Sequence, residues 1–240
     1  MARSIARRPY HHGDLRRTLL DAALALVEAD GLAALSLREV AKRAGVTHGA
    51  PYHHFPDRGA LMSAIAGEGF VLLRDGMDAA ATGAGDDPVA RLAAIGRGYV
   101  HFALTHRAYF RVMFRPELVH LVVPPPSEER TAYDVLAQAV RDCQAAGLAP
   151  QAEHELLAVL AWSTVHGLAS LLLDGPLEPP GAPDTIVGES RAAALAEAIP
   201  GLLARLFAGV AHGGRGGRKA PGGKATRTRA GRGSAVPGAR

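Results

Sequence analysis

Apolar residues recur along most of this chain at intervals of three and four, the period of one face of an α-helix. Leu15, Leu19, Ala22, Ala23, Leu26 and Val27 form the first such stripe. Asp14 is a fitting N-cap before it and Gly31 a fitting stop after it. A second, shorter stripe, Leu37, Val40, Ala41 and Ala44, has Arg38, Glu39, Lys42 and Arg43 between its members. Ser36 followed by Glu39 reads as a capping box, so this helix is predicted to begin at Leu37. Gly45 can take the left-handed conformation that ends a helix, and Thr47 is predicted to cap the next one, about His48 to Phe55. Pro51 falls in the first turn of that segment, where a missing N–H costs little. Asp57 is predicted to cap a further helix running through Leu61, Ile65, Leu72 and Leu73 to about Ala81.

The rest of the chain keeps the same period. Asp87 and Pro88 supply an N-cap and a proline at the first helical position, followed by Val89, Leu92, Ala93, Gly96, Tyr99, Val100, Ala103 and Leu104. After the aromatic-rich segment from Tyr109, the prolines ending at Pro126 require a loop. Ser127 is expected to cap a helix that reaches about Ala146 and stops at Gly147. Gln151 to Leu173 is the most apolar stretch, and a helix apolar on most of its surface is buried on more than one side. A last helix is predicted from about Glu189 to Ala211, with a kink at Pro200 and with Leu202, Leu203, Leu206, Phe207 and Val210 on its apolar face. The expected fold class is all-α.

The segment from Ser36 to Leu61 therefore reads as two short helices joined by a tight turn, with a third helix behind, an arrangement suited to entering a DNA major groove. Its residues carry a specific pattern. Ala41, Ala44, Gly45, Val46, Thr47, Gly49, Tyr52, His54, Phe55, Arg58 and Leu61 run from a small residue and glycine through Tyr-x-His-Phe to a basic residue and leucine. In this the chain resembles the DNA-binding domain of TetR/AcrR-type transcriptional regulators. The N-terminal part of the second helix, Thr47, His48, Gly49 and Ala50, is expected nearest the base edges, because small residues leave room for the backbone. The resemblance implies that Tyr52 and His54 face DNA and that Arg58 occupies the family's phosphate-binding position. His53 is expected to be partly packed, and Phe55 to belong to the core.

Charge separates the chain into parts. Residues 1–60 carry 9 Lys/Arg and 6 Asp/Glu, residues 61–210 carry 10 and 17, and residues 211–240 carry 8 and none. Basic ends on an acidic middle fit a DNA-binding head joined to a body that does not bind DNA. The expected organisation is a basic arm over residues 1–13, a helix-turn-helix domain over 14–60, a helical effector-binding and dimerisation domain over 61–211, and a basic tail over 212–240. The arm and tail lack apolar periodicity; each could follow phosphates or simply remain solvated. Arg16 and Arg17 have the same two possibilities.

Composition excludes several classes. The apolar runs are interrupted short of the roughly 20 residues that a membrane span needs, and the basic N-terminus lacks the apolar core of a signal peptide, so a soluble cytoplasmic protein is expected. The single cysteine, Cys143, leaves no intramolecular disulfide and no thiolate metal cluster. His48, His53 and His54 lack the i, i+4 spacing of a helical metal pair, so no metal site is expected. No cofactor motif is present. An enzyme built on Cys143 or His166 would lack an ordered triad or a phosphate loop, and the chain is expected not to be one.

The run AWSTVHGLASLLLDG, with Trp162, His166 and Gly167, resembles a TetR-type C-terminal ligand and dimerisation domain marked by a Trp and a His-Gly pair. The resemblance implies that the last two helices pair across a two-fold axis, giving a homodimer. Two heads so related would read half-sites about 34–36 Å apart, or a multiple of that, on a palindromic double-stranded DNA operator. A small organic effector is expected in an apolar cavity lined by some of Tyr99, Phe102, Tyr109, Phe110, Met113, Phe114, Trp162 and His166. Helical spacing alone does not separate pocket from core at these positions. The functional expectation is a ligand-responsive regulator, a repressor released from its operator. The alternative is a non-specific architectural DNA-binding protein driven by the basic tail.

Overall fold

The computed structural model describes residues 12–115, 130–149, 152–174 and 194–206, with side chains from Leu15 onward. The arm, the prolines around Pro126, Ser127, Phe207, Val210 and the basic tail lie outside the described residues. Among those described there is no strand. The elements are α1 (His12–Asp30), a 3₁₀ turn (Leu32–Ala34), α2 (Leu37–Ala44), a second 3₁₀ turn (Ala50–His53), α3 (Arg58–Gly83), α4 (Pro88–Thr105), α5 (Arg107–Met113), α6 (Ala132–Ala145), α7 (His154–Leu173) and α8 (194–206).

Most boundaries follow from local chemistry. α1 starts two residues ahead of Asp14 and ends at Gly31, whose φ of 78° suits glycine. The Ser36 hydroxyl accepts from the Glu39 N–H at 3.2 Å, while the Glu39 carboxylate turns to Lys42, so half of the expected capping box forms. The Asp57 carboxylate accepts from the Ala60 N–H at 2.7 Å, and that of Asp87 from the Val89 N–H at 3.0 Å. α6 begins later than Ser127 would place it, at Ala132, because Thr131 and Asp134 form a complete reciprocal capping box. It ends at Gly147, where the Leu148 N–H reaches back to the Cys143 carbonyl at 2.8 Å.

One hydrophobic core runs from Leu19 in α1 to Ala204 in α8. α4 lies within it, burying Leu92, Ala93, Ala94, Ile95, Tyr99, Val100, Phe102 and Ala103 against α3, α7 and α6. α3, 26 residues long and so about 39 Å from end to end, links the N-terminal helices to this assembly. Its Leu61, Met62 and Ile65 are buried, and α1 and α5 both pack on it. Leu72, expected on the inner face, is exposed.

α7 corrects the expectation from its composition in one respect. It is long and apolar enough to cross a membrane by length and hydropathy, yet Leu157, Ala158, Ala161, Val165, Leu168 and Ala169 pack into the core beside α4 and α6. Within one chain its other face, with Leu156, Val159, Leu160 and Leu171, is exposed, leaving open the expectation that a second subunit covers one side. On α8, Leu202 and Leu206 are exposed as well.

Candidate DNA interface and effector cavity

Gly45 closes α2 at φ 68°, and the Val46 N–H returns to the Ala41 carbonyl at 3.0 Å, so the chain reverses in a tight turn. The next segment is not the α-helix expected over His48–Phe55. It is a short 3₁₀ turn in which Ala50, Tyr52 and His54 donate to the carbonyls of Thr47, Gly49 and Pro51, three residues back. Pro51 lies in the first turn, where an N–H would have no partner, and its ring is buried, anchoring the segment. The residue preceding this turn is Gly49, with no side-chain cap, so Thr47 does not cap it.

The turn presents Thr47, His48, Gly49 and Tyr52 to solvent, with Ala50 half-buried; Tyr52 is 53% exposed despite its size. The two histidines exchange their expected places. His53 is exposed, whereas His54 is half-buried with its ring 6.5 Å from that of Phe55. Phe55 is buried, as expected for core.

Arg58 stands beside this surface but is engaged internally. Its guanidinium donates to the carbonyls of Leu35 and Leu32 at 2.9 and 3.3 Å, tying the start of α3 to the approach to α2. Neither Arg16 nor Arg17 is merely solvated. Arg16 sits over the Phe55 ring, and Arg17 pairs with Asp21 at 2.6 Å and with Glu68 of α3 at 2.8 Å. The hydroxyl of Tyr109, on α5, donates to the same Glu68 carboxylate at 3.1 Å. Three helices, α1, α3 and α5, thus meet at one carboxylate.

Farther along α3, a cavity of about 230 Å³ opens between α3, α4, α6, α7 and α8. Its apolar wall includes Phe70, Met77, Ile95, Leu136, Val165 and Leu203. Of the eight residues expected there, Tyr99, Phe114 and Trp162 line it. Phe110 and His166 pack behind these three, with His166 4.6 Å from the Phe114 ring and 5.3 Å from that of Phe110. Met113 is fully buried with its sulfur against Gly69. Phe102 turns away and stacks on His106 at 4.9 Å, and Tyr109 is taken up by Glu68. Helical period shows which residues are inside, but neighbouring helices decide which inner residues border empty space.

The polar atoms inside are matched to one another. The Trp162 Nε1–H donates to the Tyr99 oxygen at 3.3 Å, and the Tyr99 hydroxyl lies 2.8 Å from His166 Nδ1. The phenol and the imidazole Nδ1 thus share one hydrogen bond, and the phenol oxygen also accepts from Trp162. Burial pushes the Tyr99 phenol pKa up and the His166 imidazole pKa down, so both stay neutral. Sequence reasoning missed Arg74, Arg130, Thr131 and Tyr133, which also line the cavity. The available signal was Arg74 itself, in helical register with Gly67, Phe70, Val71 and Met77.

Residues 19–65 match the family described as bacterial regulatory proteins, tetR family, and residues 92–194 match the tetracyclin repressor-like C-terminal domain. The chain belongs to the TetR family. Over 52 residues the chain is 48% identical to the HTH-type transcriptional regulator AcrR of Shigella flexneri. That match covers 22% of this chain and spans about a quarter, 24%, of the relative's length. A protein of unknown function from Rhodococcus sp. RHA1 is similar over a far larger extent, 34% identical with 84% of this chain and 100% of that one covered, at a TM-score of 0.66. The fatty acid degradation regulator FadR of Bacillus halodurans, 14% identical over 81% of this chain and 97% of its own, shares the TetR fold at a TM-score of 0.64. As a TetR-family member with a helix-turn-helix domain, this chain is a regulator of transcription.

Proposed function

We propose that the chain is a homodimeric, cytoplasmic repressor that binds a palindromic operator and is released from it by a small organic molecule held in the cavity. The observation that carries this reading is the position of α5. Phe114, the residue directly after α5, lines the cavity, while Tyr109 on α5 shares Glu68 with Arg17 of α1. A ligand that displaced Phe114 would therefore act on a helix bonded to the DNA-reading end. If the operator holds two heads at one separation, ligand and DNA oppose each other by the same coupling free energy.

In this reading Thr47, His48, Gly49 and Ala50 approach base edges, and Tyr52 and His54 contact bases or phosphates. Arg58 holds the turn in place through Leu32 and Leu35 and meets phosphate from there. The exposed leucines of α7 and α8 supply the two-fold contact. Residues 14–60 then form the head, and residues 61–211 the sensing and dimerising body.

Selection of bound fragments from genomic DNA, followed by a screen for compounds that release the best fragment, tests the proposal. Enrichment of one palindrome is expected, with preference over random DNA by about 10³-fold or more. Tyr52→Ala should abolish the shift of that fragment and leave the oligomeric state unchanged. Equal binding of random DNA would favour the architectural alternative.

A further inference from the structure

We infer that the cavity takes an organic anion, an apolar body ending in a carboxylate, with Arg74 and Arg130 receiving the charge. The inference rests on the cavity being an effector site and adds the chemical class of the effector.

Charge is distributed unevenly around this cavity. Among the described residues, two arginines line it and no aspartate or glutamate does. The side chains of Arg74 and Arg130 are 26% and 51% exposed, so both guanidiniums stay in reach of solvent. They adjoin each other, for Arg74 Nη1 donates to the Arg130 carbonyl at 3.4 Å. Each has an acidic partner outside the cavity, Asp75 for Arg74 at 2.8 Å and Asp78 for Arg130 at 2.6 Å. Such pairs near solvent are weak, and each guanidinium has five N–H donors in a planar fork, so a carboxylate can be accepted without removing either aspartate.

The rest of the lining makes the opposite selection. Trp162 donates to Tyr99 and Tyr99 bonds His166 Nδ1, while beside Arg130 the Thr131 hydroxyl is held by Asp134 in the α6 cap. No buried side-chain nitrogen or oxygen among the described residues lacks a partner. A polar group brought beside Trp162 and Tyr99 would give up its water at side chains already bonded to one another. The remaining wall of Phe70, Met77, Ile95, Leu136 and Val165 accepts hydrocarbon. An apolar interior with an arginine pair in reach of solvent defines an amphiphile oriented with its anion toward that pair.

Trp162, the single tryptophan of the chain, lines the cavity and reports occupancy by its fluorescence. The full-length protein is titrated with 4-phenylbutyrate, 4-phenylbutanol and 4-phenylbutylamine, which share an apolar body and differ at one end. The expected result is that the acid binds at least about tenfold more tightly than the alcohol, with the amine weakest. In Arg74→Met and in Arg130→Met, which keep the side-chain stem, the acid should weaken by about tenfold while the alcohol is unchanged; thermal melting verifies that both variants fold. Equal binding of acid and alcohol to the unaltered protein, or a preference that persists in both variants, would overturn the anion assignment and leave the cavity as an effector site. No fluorescence response to any of the three would overturn the cavity reading and this inference with it.

Discussion

Tyr99 and His166, separated by 67 residues, are joined by a 2.8 Å hydrogen bond between the phenol and Nδ1. Burial lowers the His166 pKa below its ordinary 6.5 and so favours the neutral imidazole in this contact. Well above pH 6.5 the residue is neutral in folded and unfolded chains alike and contributes no pH dependence. As the pH falls below that value, the unfolded chain takes up a proton that the folded chain does not, so stability decreases. Denaturant unfolding between pH 8 and 5.5 should show this loss, at most about 1.4 kcal/mol per pH unit from one group. His166→Gln, which keeps an acceptor for Tyr99, should remove that part of the slope. Parallel profiles for the two proteins would contradict the assignment.

Cys143 is buried in α6, and burial raises its thiol pKa to about 11. The thiolate needed for alkylation is therefore scarce at neutral pH, and access is closed as well. Native protein should react with iodoacetamide far more slowly than protein in denaturant. Since the chain has no second cysteine, the rate reads opening of this region without ambiguity. Fast labelling of the folded protein would place α6 differently.

At Gly69, α3 and α5 approach so closely that a Cβ would lie 2.5 Å from the sulfur and 2.9 Å from Cγ of Met113, with Tyr109 at 3.2 Å. Met113 is fully buried and has little room to yield. Gly69→Ala should destabilise the protein by on the order of 1–3 kcal/mol, despite the better helix propensity of alanine. Urea unfolding measures the change; a gain in stability would show that Met113 repacks freely. Gly67→Ala on the same helix, where a Cβ meets nothing within 4 Å, is the control.

The exposed apolar face of α7 should be covered by a second copy. Leu160 is 51% exposed, so Leu160→Glu removes no core contact of comparable size within one chain. Light scattering on an eluting column should show a monomer for this variant and a dimer for the unaltered chain, with unchanged helical content. Persistence of the dimer would move the interface elsewhere.

Features legible in the sequence are local in origin. Ser36, Gly45, Asp57, Asp87 and Gly147 mark helix ends because each satisfies or terminates backbone groups within a few residues of itself, and the structure places every one at such an end. The helical period likewise identified Leu19, Val40, Phe55, Leu61 and Val165 as inward-facing. The pattern around Tyr52 and Phe55 established the family because its residues lie in one short segment. Tertiary structure decided the rest. That the segment around Pro51 forms only a 3₁₀ turn, that His54 rather than His53 packs, and that Arg58 reaches Leu32 and Leu35 are not set by the local pattern. Arg74 and Arg130 are 56 residues apart, and only the meeting of α3 with the start of α6 makes them two sides of one opening. Sequence period assigns a residue to the inside of its own helix, whereas a cavity exists where several helices fail to fill the space between them.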